Sequence, residues 1–178
     1  ILTAADGRNI TVSYAGLTKE NTGLAAAGTY SGNYSLRSLT GAALTLSQQV
    51  SGNIANSGFV AGTYQAKQAQ VATLKRTGSQ AAPATLTGSD LVINGYAIRA
   101  AQGSDDSATV ATTTSSTKAS SAIAMAAAIN DSSRLTGVTA VANPNVLTGT
   151  GFAAADVDTL FINGQTFVVA LNNTSTLS

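Results

Sequence analysis

Two Asn-Gly pairs, each set inside an alternating apolar run, constrain this chain more than any other feature. They lie in residues 91–98 (LVINGYAI) and in residues 160–169 (LFINGQTFVV). Side chains two apart share one face of a strand, so Leu91 and Ile93 before the pair, and Tyr96 and Ile98 after it, read as two short strands. A two-residue reversal between strands needs positive φ at both central positions, which Asn and Gly tolerate best. Asn94-Gly95 and Asn163-Gly164 are therefore expected to be hairpin turns.

Beyond the first hairpin the period changes. After a Ser/Thr/Asp-rich loop, residues 118–133 (KASSAIAMAAAINDSS) are the helix candidate. Alanine favours helix, and Ile123, Ala126 and Ile129 fall three apart on one face. A Ser or Thr near Thr117 is the expected cap. Residues 135–144 (LTGVTAVANP) then return to strand, with Val138 and Val141 as the apolar positions and Pro144 at the end. The unit is hairpin, helix, strand. A second copy starts at Asp158, with its Asn 69 residues after the first (Asn94 and Asn163), and is read as truncated before its helix.

The first 76 residues carry strand signals separated by Gly and Asn. Ile10, Val12 and Tyr14 alternate after the Asp6-Gly7 turn, with Thr11 and Ser13 expected to face water. Tyr30 precedes a Gly32-Asn33 turn, and Tyr34 and Leu36 are expected to pair with the run 44–46 (LTL). Phe59 and Tyr64 lie near a further edge. Residues 77–85, with Pro83 and few large apolar side chains, read as a linker. The expected organisation is a β-rich subdomain over 1–76, a linker over 77–85 and a second subdomain over 86–178. The expected fold class is α+β, mostly β, with antiparallel hairpin-rich sheets and one short Ala-rich helix; Ile93, Ile98, Ile123, Ile129 and Val138 are the expected core.

Inventory excludes most catalysis. The chain has no His and no Cys, so Ser-His-Asp and Cys-His nucleophiles, and His or Cys metal clusters, are impossible. Glu20 is the one glutamate, which leaves Asp105-Asp106 or Asp156 and Asp158 for paired-carboxylate chemistry; Asp residues in Gly/Ser-rich loops are usually turn formers. Calcium is a weak alternative for Asp105 and Asp106, without EF-hand spacing. Lys67, Lys75 and Lys118 have no motif joining them to a serine, and no Gly loop has a phosphate-binding pattern. Tyr14, Tyr30, Tyr34, Tyr64 and Tyr96 sit in strand alternation and read as packing, not as a sugar platform. Sequons at Asn9, Asn33, Asn130 and 172–173 are expected by chance in so Asn/Ser/Thr-rich a chain. No catalytic, cofactor-binding or metal-ligating residue is expected, and no cofactor.

Charged residues are 10% of the chain and the net charge is +1, which gives no electrostatic reason for a nucleic-acid or membrane partner. Hydrophobic residues at 44% set it apart from disordered chains. No apolar run reaches the roughly 18 residues of a membrane span.

Three phrases together resemble bacterial flagellins. Residues 89–98 (SDLVINGYAI), the helix ending AAAIND and residues 137–143 (GVTAVAN) are similar to the flagellin IN motif, which the filament-cap protein also carries. Residues 29–47 (TYSGNYSLRSLTGAALTLS) and 5–12 (ADGRNITV) look like strand pairs of the flagellin middle region. These phrases together span a little under half of the 178 residues. It implies a structural protein and no enzyme: the variable, surface-exposed outer domain of a flagellin subunit, extracellular, on the bacterial flagellum. It further implies that other flagellin subunits are partners through regions missing here, and that the isolated segment is a monomer. Absent Cys, few aromatics and small side chains are compatible with export unfolded through a narrow channel. A cap-protein fragment, and an extracellular adhesin or carbohydrate-binding module, are the alternative readings. The chain is read as a segment of a longer protein.

Overall fold

The computed structural model describes residues 1–65, 70–72, 84–109, 118–149 and 156–171. In chain order the first elements are β1 (Leu2–Ala4), β2 (Ile10–Ala15), the single turn α1 (Lys19–Thr22) and β3 (Gly28–Tyr30). Next come β4 (Tyr34–Ser38), β5 (Leu44–Ser47), a 3-10 turn (Ile54–Ser57), β6 (Gly62–Tyr64) and β7 (Gln70–Ala72). The first hairpin is β8 (Val92–Ile93) and β9 (Tyr96–Ala97), followed by α2 (Ala122–Asn130), the turn α3 (Ser133–Thr136) and β10 (Val138–Ala142). β11 (Asn145–Leu147) leads to the second hairpin, β12 (Asp156–Ile162) and β13 (Gln165–Leu171). The fold is α+β and mostly β, the described strand pairs are antiparallel, and α2 is the one described helix longer than a single turn.

Both Asn-Gly pairs are hairpin turns with the expected backbone: φ is 50° at Asn94 and 86° at Gly95, 50° at Asn163 and 75° at Gly164. Each hairpin completes a four-stranded sheet, and the two sheets are built alike. One runs β13-β12-β2-β3 and the other β9-β8-β5-β6. In the first, Thr11 faces Thr29 and Ile10 faces Tyr30; in the second, Thr45 faces Thr63 and Leu44 faces Tyr64. Ile162 pairs with Val12, and Ile93 pairs with Leu46. The duplication is written in the sequence as AGTY at 27–30 and again at 61–64, a period of 34 residues that also relates Thr11 to Thr45. The threonine hydroxyls meet in both copies, at 3.1 Å (Thr11 and Thr29) and 3.3 Å (Thr45 and Thr63). The tyrosine hydroxyl donates to the carbonyl four residues back in both, Tyr30 to Ala26 and Tyr64 to Val60.

The copies pair in nested order. The earlier strand set, β2-β3, takes the later hairpin, and the later set, β5-β6, takes the earlier hairpin. β10 pairs with β4, and β11, a few residues on, pairs with β1. Strand pairing thus runs across the linker expected at 77–85, of which residues 77–83 lie outside the described residues. Packing crosses it too: one apolar cluster joins Tyr34, Leu36, Leu44 and Leu46 to Leu91, Ile93, Ile98, Ile129 and Val138. A second, smaller cluster holds Ile10, Val12, Leu17, Leu147 and Leu160. Burial of each large aliphatic side chain of this kind stabilises by about 1.5–3 kcal/mol.

Several local expectations differ from what is found. Tyr34 and Leu36 do not pair with 44–46; β4 lies between β10 and β7, and β5 between β6 and β8. Gly32-Asn33 is accordingly a crossing between sheets and not a hairpin turn. Thr11 is buried, with its hydroxyl satisfied by Thr29. Helix α2 is capped by Ser121, whose Oγ accepts from the Ala124 N–H at 3.1 Å; Thr117 lies outside the described residues. A cap of this kind contributes about 1 kcal/mol. Ala122, Ala124, Met125, Ala126, Ala128 and Ile129 are all buried, so α2 is covered nearly all round and Ile123 is only half-buried at its margin. In β10 the inward residues are Val138 and Ala140, while Val141 points outward at 60% exposure. Ile93, Ile98, Ile129 and Val138 are in the core as expected.

Nothing lies within 4 Å of where a Cβ on Gly95 would sit, so the constraint there is the backbone alone. Gly95→Val forces a β-branched residue to φ near 86° and is expected to destabilise the protein by about 1–3 kcal/mol. Thermal unfolding followed by circular dichroism checks this; an unchanged midpoint would show that the turn relaxes without loss.

Candidate functional site

Asp105 and Asp106 are occupied with structure. Asp105 takes a two-pronged ion pair from Arg99, at 2.8 and 3.0 Å, and accepts from the Gln102 N–H. The guanidinium hydrogen bond, partly opposed by burial, holds its carboxyl below the usual range. Arg99 also reaches Asp131 at the end of α2, and so ties the first hairpin to the helix. Asp106 is buried and accepts from the N–H groups of Ala108 and Thr109, as an Asx turn does. Asp156 and Asp158 fall on β12, their side chains outside what is described. Among the described residues no group of three His, Cys, Asp or Glu is placed to hold a metal.

Lys118 opens a 3-10 turn before α2; Lys67 and Lys75 lie outside the described residues. The tyrosines form no platform. Tyr34 is buried edge-on against Phe59, with ring centroids 5.2 Å apart, and its hydroxyl donates to the Ser57 carbonyl. Tyr14 donates to the Ala25 carbonyl, and Tyr96 stands exposed on β9. Of the sequons, Asn9 is fully buried and Asn130 is engaged with the backbone of Ala140; 172–173 lie outside the described residues.

One carboxylate that no motif singled out organises a junction. Asp90, 3% exposed, accepts from the N–H groups of Asn53 and Thr87 and from the side-chain amide of Asn56, at 2.8–3.0 Å. It thereby clamps the 3-10 turn against the approach to β8. Burial pushes its carboxyl up, but these donors outweigh it and hold the group below the usual carboxylate range.

The hairpin asparagines do more than turn the chain. Asn94 donates its N–H to the Thr45 carbonyl and accepts the Thr45 N–H on Oδ1, both at 2.8 Å. Asn163 does the same to Thr11, at 2.9 and 2.7 Å. Each side chain thus continues the sheet ladder where the hairpin backbone has turned away. Beside Asn163 the surface opens into a cleft of about 430 Å³, lined by residues 2–6 with Arg8, Ile10 and Ile162. Asp6 and Arg8 at its rim pair with each other at 2.6 Å. Its lining is mixed: aliphatic side chains, the Asn163 amide, the exposed Thr3 and the Asp6–Arg8 pair.

No described helix is long and apolar enough to cross a membrane. No family model, no curated protein and no solved structure matches this chain.

The Asp90 clamp sets a pH dependence. Because its folded-state pKa is depressed, its contribution is complete above the unfolded-state value, about 3.9, and is lost as pH falls through the folded value. Asp90→Asn turns an acceptor into a donor facing two donors and is expected to remove about 1–3 kcal/mol at neutral pH. Urea unfolding between pH 7 and pH 2.5 should show the wild-type advantage shrinking below about pH 4. A difference that is constant with pH would show that the carboxylate charge plays no part.

Proposed function

We propose that this chain is the outer, solvent-facing domain of a flagellin-type filament subunit, a structural and non-catalytic part of an extracellular bacterial flagellum. The observation that carries the reading is the phrase 89–143, whose hairpin, Ala-rich helix and following strand resemble the flagellin IN motif. Its three parts fold as one packed unit, with Ile93, Ile98, Ile129 and Val138 in a shared cluster, which supports treating them as a single motif and not as three coincidences. The mostly β architecture and the engagement of Asp90, Asp105 and Asp106 in local structure agree with a role that needs shape and stability, not turnover.

In this role the domain decorates the filament and presents its variable face, while polymerisation belongs to segments of the subunit other than this one. The isolated domain is therefore expected to sediment as a monomer at micromolar concentration; a stable oligomer in analytical ultracentrifugation would count against the assignment. The direct test is immunogold electron microscopy on cells that make the protein, with antibody raised to residues 1–178. Gold along the whole filament is the expected result. Gold confined to filament tips would assign a cap protein, and gold on the cell body an adhesin.

A further inference from the structure

The two hairpin turns are also the places where this backbone is best able to attack its own side chain. In an Asn-Gly pair the glycine has no side chain to shield its nitrogen, which can close on the asparagine Cγ once the turn opens. Asn94-Gly95 and Asn163-Gly164 are the two Asn-Gly pairs of the sequence, and each follows an isoleucine (Ile93, Ile162), so their chemistry in the unfolded chain is closely matched. Folding holds both off by the same lock. The asparagine N–H and Oδ1 are tied to one threonine of the neighbouring strand, and φ of 50° fixes the residue in the turn. Ring closure must swing Cγ onto the glycine nitrogen and breaks the Oδ1 bond. The ease of local opening therefore sets the rate.

The two hairpins are not held down equally. Leu91, Ile93 and Ile98 around the first turn are all 0% exposed. At the positions 69 residues on, Leu160 is buried, Ile162 is only half-buried, and Phe167, which corresponds to Ile98, is 47% exposed. Asn94 also carries a third tie. Its Nδ2, the atom that has to leave, donates to the Thr136 carbonyl at 2.8 Å. Among the described residues the bonds of Asn163 are the two to Thr11. Opening the second hairpin thus exposes less apolar surface and breaks fewer bonds.

We infer that Asn163-Gly164 is a site of spontaneous backbone modification in the folded protein, with Asn94-Gly95 as its protected counterpart. The Gly164 nitrogen attacks Asn163 Cγ, forming a C–N bond that closes a five-membered imide. The Cγ–Nδ2 bond breaks, and Nδ2 leaves as ammonia with the proton given up by Gly164. Water then opens the imide at either carbonyl, so one water is consumed, one ammonia is released and nothing is oxidised or reduced. Opening on the Cγ side gives aspartate, which keeps an acceptor for the Thr11 N–H. Opening on the other side gives isoaspartate, which routes the main chain through Cγ and takes the lock apart. None of this depends on the filament reading.

The test follows both pairs in native protein and in protein unfolded in guanidinium, incubated at mildly alkaline pH. Peptide mapping by mass spectrometry, with enzymatic methylation of isoaspartate, reads the conversion. The two rates should agree closely in guanidinium. In the folded protein Asn163 should convert at least about tenfold faster than Asn94, the scale of one hydrogen bond and one buried side chain fewer. Equal rates in the folded protein, or Asn94 ahead, would overturn the assignment. So would an Asn163 that stays intact while the unfolded sample converts fully. Ile162→Val trims the hairpin contact and leaves the pair itself unaltered. It should speed Asn163 about threefold in the folded protein, with Asn94 and both unfolded rates unchanged. An Asn163 rate indifferent to this change would overturn the gating by hairpin docking.

Discussion

Each four-stranded sheet depends on an asparagine that acts as backbone. At Asn94 and Asn163 the main chain is committed to the turn, with φ near 50°, and cannot extend the ladder to the neighbouring strand. The side-chain oxygen and the residue's own N–H make that rung instead, on Thr45 and on Thr11. Glycine at either position would tolerate the backbone but leave a strand N–H without its acceptor, part-buried at Thr11 and exposed at Thr45, where water can take its place. The hairpins are therefore docked by a polar lock as well as by apolar packing. The threonine pairs beside them continue the same pattern one strand further out.

The features legible in the sequence were those dictated locally. Asn-Gly requires a turn, Ala-rich sequence favours a helix, and alternation assigns a face, so Ile93, Ile98, Ile129 and Val138 were legible as core. Alternation does not name a partner, because a period of two is the same on every strand. That is why β4 and β5, adjacent in sequence and each well formed, were expected to pair with each other when they belong to different sheets. The repeated AGTY would have corrected this: two strand sets of one kind, with two hairpins of one kind, imply two like sheets. Alternation also does not say which face of a strand is covered: Thr11 is buried and its equivalent Thr45 is exposed, each with its hydroxyl on a threonine of the next strand. Asp90 carried no signal at all; its importance comes from donors at Asn53, Asn56 and Thr87, up to 37 residues away.

The nested pairing imposes an order on assembly. The inner lock, Thr45 to Asn94, spans 49 residues, while the outer one, Thr11 to Asn163, spans 152. Closing the longer loop from an unfolded chain costs about 1 kcal/mol more in entropy than closing the shorter. Once the inner sheet and β10 are in place, however, the ends of the outer set are already held near each other through β1 and β11. The molecule is thus wired like a zip that closes from the middle of the chain outward. Its first strands wait for its last.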